Sequence, residues 1–561
     1  MQGAPLQGEP FVWKGKTLLS GVDPVRRADK TADAISVQDK TLYLCPSPLY
    51  GYGLKRFLTR LAQEAPGSAV LCIEADSQLY EISVKNVKPD ITADQRLRIT
   101  NICEGSALCT FAAQAWGGMA FRRVQPLRLT GGWQLYPELY DFLVQTLQKE
   151  IATSWSNALT MAKLGWLYIR NAIKNLALIP HFPSIEHLSF GSDPVLVLGA
   201  GPSLDETLAG LERFFHGSLQ RPEKRPFRII CVDTCLTALR NRDITPDLAV
   251  ILESQHWNLK GFIGCRGWDV PAAIDLCALP QSGRILCGKK YLFSTTWADL
   301  KIFGRLKQAA LLPGTVPPLG SVGLCAVELA RRLSRGKIIT AGIDFCFTLD
   351  KNHARCTPVH KNRLTAKTRF TSLLNAAAAF DSASFAAVSK SGRPVYCNPI
   401  MRTYRNLFEQ EFSGDPRLYT AADGGLHLGI KNISVKEAAA ILANNEHYAK
   451  KSVSETGQPL MQAAFAEKLK LFLDAEKKRL VTMRNILGGE EQEQGRLKNL
   501  IDECDYLWAH FPDYAGGRSP NIAEFSQGKS GGHDSQTISF LKRLRTEIDP
   551  VIALMQRISE S

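Results

Sequence analysis

The chain has 561 residues, about three to five times one ordinary domain, so a single small fold is excluded and two or three units are expected. Hydrophobic residues make up 45% and charged residues 22%, which excludes general disorder. Lys and Arg number 68 against 54 Asp and Glu, a net charge of +14, but no block of five or six like charges forms a nucleic-acid tail. The excess suits a small anionic partner such as a nucleotide, a phosphate or an acidic sugar.

The 14 cysteines are too sparse for a disulfide scaffold. Cys45, Cys72, Cys231, Cys277 and Cys325 sit in apolar runs, where a reduced thiol acts as a small hydrophobe. There is no Cys-x-x-Cys pair and no His-Glu-x-x-His, so no metal site is expected. Met1-Gln2-Gly3-Ala4-Pro5 lacks a basic-then-apolar leader, and no apolar stretch reaches the roughly 18 residues of a transmembrane helix. A cytoplasmic location is expected.

Residues 1 to about 40 support only a small sheet or an extended lead-in. Thr41–Cys45 then reads as an apolar strand. It runs into Gly51-Tyr52-Gly53 and a helical stretch with Leu54, Phe57, Leu58 and Leu61 at helix spacing. Ala69–Glu74 is a second strand, ending in acid. Strand, glycine turn, helix and acid-ended strand open a Rossmann-like unit. Gly51-Tyr52-Gly53 with Glu74 also resembles an S-adenosylmethionine site, although Pro46 and Pro48 interrupt the expected turn.

Pro137 to Leu178 is nearly free of Gly and Pro and predicts one long helix or two in series. Pro180, Pro183 and Pro194 mark Ile179–Pro194 as a linker. From Val195 the pattern predicts strands at Val195–Leu198, Arg228–Val232, Leu248–Glu253, Ala272–Leu276, Tyr291–Ser294 and Lys337–Gly342. A helix is clearest at Val322–Leu333. Continuous Val/Ile/Leu runs separated by helices favour a doubly wound parallel sheet.

Beyond Ile433 the composition turns to helix formers, over Val435–Lys450, Met461–Ile486, Gln492–Phe511 and Thr537–Ile558, with a Gly/Ser-rich loop from Gly516 to Ser535. The fold class expected is α/β: a small N-terminal and a larger central Rossmann-like doubly wound unit, then a helical C-terminal region. The expected division is 1–135, a helical linker 136–194, 195–434 and 435–561. The C-terminal helices offer a surface for a homo-oligomer.

The strongest local signal is Gly199-Ala200-Gly201-Pro202-Ser203 directly after a buried strand. Gly199 and Gly201, before Pro202, let the backbone turn tightly and approach a ligand, and Ser203 can cap the next helix or bond a phosphate at its positive end. A capped turn without a ligand is the plainer alternative. The following strands end in Asp233-Thr234 and Glu253-Ser254, where carboxylates and hydroxyls suit a ribose or a base edge; simple helix capping is the alternative.

Gly320 and Ser321 open a second helix at the end of a glycine- and proline-rich approach. That helix feeds a strand finishing at Gly342-Ile343-Asp344. His353 and His360 follow in a polar loop, and a histidine there can take a proton from an attacking hydroxyl.

These residues carry a family resemblance. Gly199–Leu204, Pro246-Asp247 and the span from Gly320-Ser321-Val322 to Gly342-Ile343-Asp344 resemble the motility accessory factor (Maf) glycosyltransferases and the related bacterial sialyltransferases. Cys325-Ala326-Val327 through Phe345 is similar to the sialyltransferase helix and strand. His353-Ala354, Asp423-Gly424-Gly425 with Gly429, Gly51-Tyr52-Gly53 and Ile73-Glu74-Ala75-Asp76 resemble further Maf motifs. The resemblance spans roughly residues 40 to 435.

It implies transfer of a nonulosonic acid (sialic, pseudaminic or legionaminic type) from a CMP donor to Ser or Thr of flagellin or another protein acceptor. No cofactor would be required. His353 and Asp344 would be the catalytic groups, and Gly199, Gly201, Pro202, Ser203, Asp233, Thr234, Glu253, Ser254, Gly320, Ser321 and Gly342 would bind the nucleotide-sugar. One departure stands out: sialyltransferases carry asparagines where this chain has Asp233 and Glu253. The superfamily also resembles hydroxymethylpterin diphosphokinases, in which ATP and magnesium would engage Asp233, Glu253 and Asp344. A non-catalytic nucleotide fold serving as an assembly module is the third reading.

Overall fold

The computed structural model describes residues 9–295, 297, 300–370, 372, 378–421, 423–444, 454–455, 462–489, 494–511 and 535–560. It divides into two compact units, residues 1–165 with 508–521 and residues 166–507 with 522–561.

The first unit opens with a hairpin, β1 (Phe11–Trp13) and β2 (Lys16–Leu19), and a helix, α1 (Pro24–Ala34). The lead-in is thus a small sheet plus a helix. There follow β3 (Thr41–Pro46), α2 (Leu54–Glu64), β4 (Ala69–Ile73), α3 (Ser77–Asn86), α4 (Pro89–Thr92), β5 (Leu97–Thr100), α5 (Gly105–Trp116) and β6 (Arg123–Pro126). The four core strands are parallel in the order β5-β4-β3-β6.

Strand alternation decides the layers. Tyr43, Cys45, Val70 and Cys72 face one side, with Phe57, Leu58 and Leu61 of α2. Leu42, Leu44, Leu71 and Ile73 face the other, with Leu108 of α5. The four residues predicted at helix spacing are the ones α2 buries. The predicted long helix is α6 (Pro137–Asn175), through which the division at residue 165 passes.

The second unit holds β7 (Leu188–Ser189), β8 (Val195–Leu198), α7 (Leu204–Phe215), β9 (Arg228–Val232), α8 (Leu236–Arg240), β10 (Leu248–Ile251), β11 (Ala272–Asp275) and β12 (Lys290–Thr295). Next come α9 (Lys301–Gln308), β13 (Thr315–Val316), α10 (Val322–Leu333), β14 (Ile338–Ala341), α11 (Pro358–Ala366), a hairpin of β15 (Phe385–Val388) and β16 (Pro394–Cys397), α12 (Pro399–Phe412), β17 (Leu418–Thr420) and β18 (Lys431–Asn432).

Nine strands make one parallel sheet, ordered β13-β12-β11-β10-β9-β8-β14-β17-β18. The chain steps outward from β8 to β13, then returns to the other side of β8 as β14. The reversal between β8 and β14 is where an open α/β sheet leaves a crevice at its carboxyl edge. Leu248–Glu253 was expected as a strand to its acid; β10 stops at Ile251, which leaves Glu253 in the loop beyond. The expected linker Ile179–Pro194 contains β7, which pairs with β19 (Ser454–Glu455).

The remaining helices are α13 (Val435–Ala443), α14 (Gln462–Gly488), α15 (Gln494–Glu503) and α16 (Ser535–Ser559). The predicted helix over Val435–Lys450 is described only to its Ala443 end, and the predicted loop Gly516–Ser535 lies almost wholly outside the described residues. Glu476 of α14 is fully buried. It receives the Arg305 guanidinium of α9 at 2.6 and 2.9 Å and Arg479 at 2.9 Å, which ties the helical region to the sheet layer.

Arg225 is fully buried before β9, and its Nη2 donates to Asp247 at 2.7 Å. The other Asp247 oxygen takes Arg228, and Ile229 N donates at 2.8 Å. One carboxylate therefore fixes the start of β9 against that of β10. Asp247→Ala would strand a buried guanidinium and should destabilise the second unit by about 3–5 kcal/mol, measured by chemical denaturation; a loss below about 1 kcal/mol would place the constraint elsewhere.

Candidate active site at the carboxyl edge of the large sheet

At the reversal point the turns after β8 and β14 touch backbone to backbone. Gly199 N donates to Ala341 O at 2.8 Å and Gly201 N to Gly342 O at 2.7 Å. A Cβ on Gly199 would collide with the Gly342 carbonyl, and one on Gly342 with the Gly199 carbonyl; Gly342 also has φ +68°. The glycines are needed for this approach.

Asp344 closes the knot. Its Oδ2 accepts from Ser203 N at 2.7 Å and its Oδ1 from Ser203 Oγ at 2.6 Å. The anion at the start of α7 is therefore the chain's own carboxylate. Ser203 makes no side-chain cap on α7. Burial raises the Asp344 carboxyl; the Ser203 bonds and the charges of Lys390 and Lys351 oppose that rise.

Three further segments close on the knot. Ala354 N donates to Ala200 O at 2.9 Å, and Lys351 Nζ reaches Asp205 at 3.2 Å and Pro202 O at 3.4 Å, laying the His353 loop along the glycine turn. Leu426 N donates to Asp344 O at 2.9 Å, and a Cβ on Gly424 would meet Ser203 Cβ at 2.9 Å, so Asp423-Gly424-Gly425 joins as well. From the β15–β16 hairpin, Lys390 N donates to Gly425 O and its Nζ to Thr420 Oγ1, both at 2.9 Å.

Burial lowers the Lys390 ammonium, which faces Asp344 and Asp423. Burial also lowers His353, whose Nδ1 is enclosed without a hydrogen-bond partner. At neutral pH His353 is an uncharged imidazole able to accept a proton. His360 lies on α11, where burial lowers it and the Asp205 charge opposes that.

One strand over, Asp233 is buried. Its Oδ1 accepts from Thr234 N at 2.7 Å, and the carboxylate faces the Asn258 amide. Burial raises this carboxyl to about 6, with Asn258 and the Thr234 N–H opposing and Glu253 adding to the rise. Glu253 is exposed and accepts from Gln255 N at 2.9 Å. The neighbouring Ser254 is buried, with its carbonyl held by Asn171 Nδ2 at 3.0 Å. Asn175, one turn on, holds the Leu276 and Ala278 carbonyls at 2.8 Å each.

The helix α10 runs into β14, so its start lies at the same carboxyl edge. Ser321 Oγ accepts from Gly323 N at 3.2 Å. The Ile343 side chain lies against both Gly199 and Gly323, bringing the two glycine turns to one place. Tyr404 packs on Gly320, and the Glu253 charge bears on the phenols of both Tyr404 and Tyr168, each raised first by burial.

The structure thus gathers Gly199, Gly201, Pro202, Ser203, Gly320, Ser321, Gly342, Asp344 and His353 around the reversal, with Asp233, Thr234, Glu253 and Ser254 on the adjoining strand ends. Among the described residues, no three His, Cys, Asp or Glu side chains stand together as metal ligands. Sequence reasoning missed Lys390, Asn258, Tyr168, Tyr404 and Asp275. Asp275 was visible as an acid ending an apolar strand, and Asn171 with Asn175 as a polar pair on one helix face. Lys390 had no local signal, because a long insertion delivers it.

A parallel doubly wound sheet with two glycine turns meeting at its reversal defines a Rossmann-like α/β protein. Residues 170–350 match the family model described as 6-hydroxymethylpterin diphosphokinase MptE-like. The chain is 27% identical over 554 residues, 95% of its length, to an uncharacterized protein of Treponema pallidum (strain Nichols), covering 91% of that protein. Its fold matches that of the MAf glycosyltransferase from Magnetospirillum magneticum AMB-1, with TM-score 0.52 and 13% identity over 99% of this chain and 92% of that one.

The buried Asp233 carboxyl gives a signed pH expectation. Its folded value, about 6, lies above the ordinary 3.8, so the folded state holds the proton more tightly and this group favours folding at low pH. That contribution is lost as pH rises from about 4 to about 6. Asp233→Asn should therefore raise the melting temperature at pH 8 relative to the unaltered chain and make little difference at pH 4. A variant less stable at pH 8 would mean that the ionised carboxylate is compensated.

Proposed function

We propose that the protein is a glycosyltransferase that moves a nonulosonic acid from a CMP donor to a Ser or Thr hydroxyl of a protein, flagellin being the acceptor the sequence resemblance implies. The observation that carries this reading is the meeting of the Gly199–Ser203 turn, the Ser321 helix start and the His353 loop at one reversal point. Because Asp344 already occupies the start of α7, the donor phosphate is assigned to the start of α10.

In the transfer the acceptor oxygen attacks the anomeric carbon and the bond from that carbon to the phosphate oxygen breaks. CMP leaves with the electron pair, and the hydroxyl proton passes to the His353 imidazole. First-turn amides of α10 offset the charge on the departing phosphate. Asp344 acts by holding the turn in place.

A second reading, an ATP- and magnesium-dependent diphosphokinase-like enzyme, is favoured by the family match over residues 170–350. Transfer that survives EDTA supports the first reading; loss with EDTA and restoration by magnesium supports the second.

His353→Ala should abolish transfer while CMP affinity, measured by titration calorimetry, changes less than about twofold. Equal loss of both would assign His353 to the donor site. Ser321→Ala should weaken CMP binding about three- to tenfold, through loss of the side chain that orders the helix start. Unchanged affinity would remove α10 from the donor site. In a thermal-shift panel of CMP, ATP, NAD and S-adenosylmethionine, with and without magnesium, CMP at a hundredfold excess over Kd should stabilise the fold by about 2.7 kcal/mol.

A further inference from the structure

Beyond β14 the chain gathers positive charge that its own acids do not meet. Lys351–Phe370 holds six Lys or Arg and no Asp or Glu, in a chain whose net charge is +14.

The base of this segment is fixed. Asp205 accepts from Lys351 Nζ at 3.2 Å and from the Arg355 amide at 3.1 Å, and Thr237 Oγ1 donates to Cys356 O at 2.8 Å. Thr357 Oγ1 donates to Ala354 O at 2.7 Å, and the buried Arg363 to Asp350 O at 2.9 Å. These bonds fasten α11 to the His353 loop.

The remaining cations face water. Arg355, Lys367 and Arg369 are exposed and Lys361 is half-buried. Among the described residues no carboxylate forms an ion pair with any of the four, and Asp205 is spent on Lys351 and the Arg355 backbone. The charges also act on common neighbours. Arg363, Arg355 and Lys351 all add to the lowering of His360 by burial, and Lys361 bears on the Cys265 thiol together with Arg240 of α8. One cationic face therefore runs from Arg369 across α11 to α8. Like charges so gathered repel one another and attract an anionic partner.

Apolar side chains stand among these cations. Leu349 and Leu364 are exposed, and Phe370, next to Arg369, is 89% exposed. A bare phosphate makes no use of them, whereas a protein surface bearing both acids and apolar residues does. A membrane surface is a poorer match. Among the nine residues of α11, Leu364 is the one large apolar side chain that is exposed, and an interfacial helix needs a broad apolar face.

We propose that α11 and the Lys367–Phe370 segment form the docking surface for the acceptor protein, and that the acceptor presents its hydroxyl among Asp and Glu residues interspersed with apolar ones. The inference rests on the reading that the His353 edge transfers a group to a protein hydroxyl. The docking face then selects which hydroxyl reaches that edge.

The test is fluorescence anisotropy of the full chain at pH 7.5 with two labelled peptides of equal length. One has Asp, Glu, Leu and Phe around a serine, and the other has Asn and Gln in place of the acids. The acidic peptide should bind about tenfold tighter or more at low salt, and lose that advantage in 1 M salt, where the screening length is about 3 Å. Lys361→Glu, Lys367→Glu and Arg369→Glu together should abolish the preference, and Phe370→Ser should weaken acidic-peptide binding about threefold. Both variants should keep the thermal transition of the unaltered chain. Equal affinity for the two peptides, or a preference that survives the charge reversal, overturns the docking surface and leaves the donor reading standing. A preference that depends on these residues, in a chain that fails to bind CMP, overturns the donor reading and leaves the docking surface. Vesicles of equal parts phosphatidylserine and phosphatidylcholine, if bound through the same residues more tightly than the acidic peptide, would assign the face to a membrane and overturn the proposal.

Discussion

The second unit is organised by one buried carboxylate. Asp344 spends both side-chain oxygens on Ser203 and its carbonyl on Leu426, so the turns after β8, β14 and β17 are fixed by a single residue. Gly199 and Gly342 exist to let two backbones come within hydrogen-bonding range of each other. A carboxylate at the start of α7 is also electrostatically favoured, since the first amides of a helix carry partial positive charge. The arrangement consumes the anion site that a glycine-rich turn would otherwise offer a ligand, and it leaves the start of α10 as the neighbouring positive end at the same edge.

Charge at this edge is arranged by burial more than by pairing. Asp233 and Asp275 are each raised to about 6, Asp344 is raised, and Lys390 and His353 are lowered, with desolvation the first cause in every case. Asp275 recovers part of that cost through Thr295 N at 2.6 Å, Thr295 Oγ1 at 2.9 Å and Cys277 N at 2.6 Å. Asp233 recovers part of it through the Asn258 amide and Thr234 N. Titratable groups pushed towards neutrality and gathered at a strand-end crevice are what acid–base chemistry requires.

Much of this was legible because continuous apolar runs and glycine turns are local signals. The six predicted strands of the second unit all exist, and α2 buries the residues its spacing named. What escaped was long-range. Ser203 looked like a helix cap; only the fold reveals that residue 344 arrives to take both its amide and its hydroxyl. Lys390 enters from a hairpin inserted between β14 and β17, and Asn258 from an irregular turn with no periodicity. The two short strands β17 and β18, three and two residues long, left no run to recognise.

The two units share a local plan and differ in how they finish it. In the first, the reversal lies between β3 and β6, and the second strand ends in Glu74, as β9 ends in Asp233. Glu74 is answered from within: Ser47 Oγ donates to it at 2.5 Å, and Ser47 is held at φ +49° with its carbonyl bonded by Thr130 Oγ1 at 2.8 Å. A Cβ on Gly132 would run into Ser47, so that side chain fills the space beside the carboxyl. Backbone strain and close packing are thus used there to complete a carboxyl that burial raises to about 7. At Asp233 the Asn258 amide and the Thr234 N–H take that part, and burial still raises the carboxyl to about 6. The same strand end is therefore closed from within in both units, by a strained serine in the first and by the irregular turn that carries Asn258 in the second.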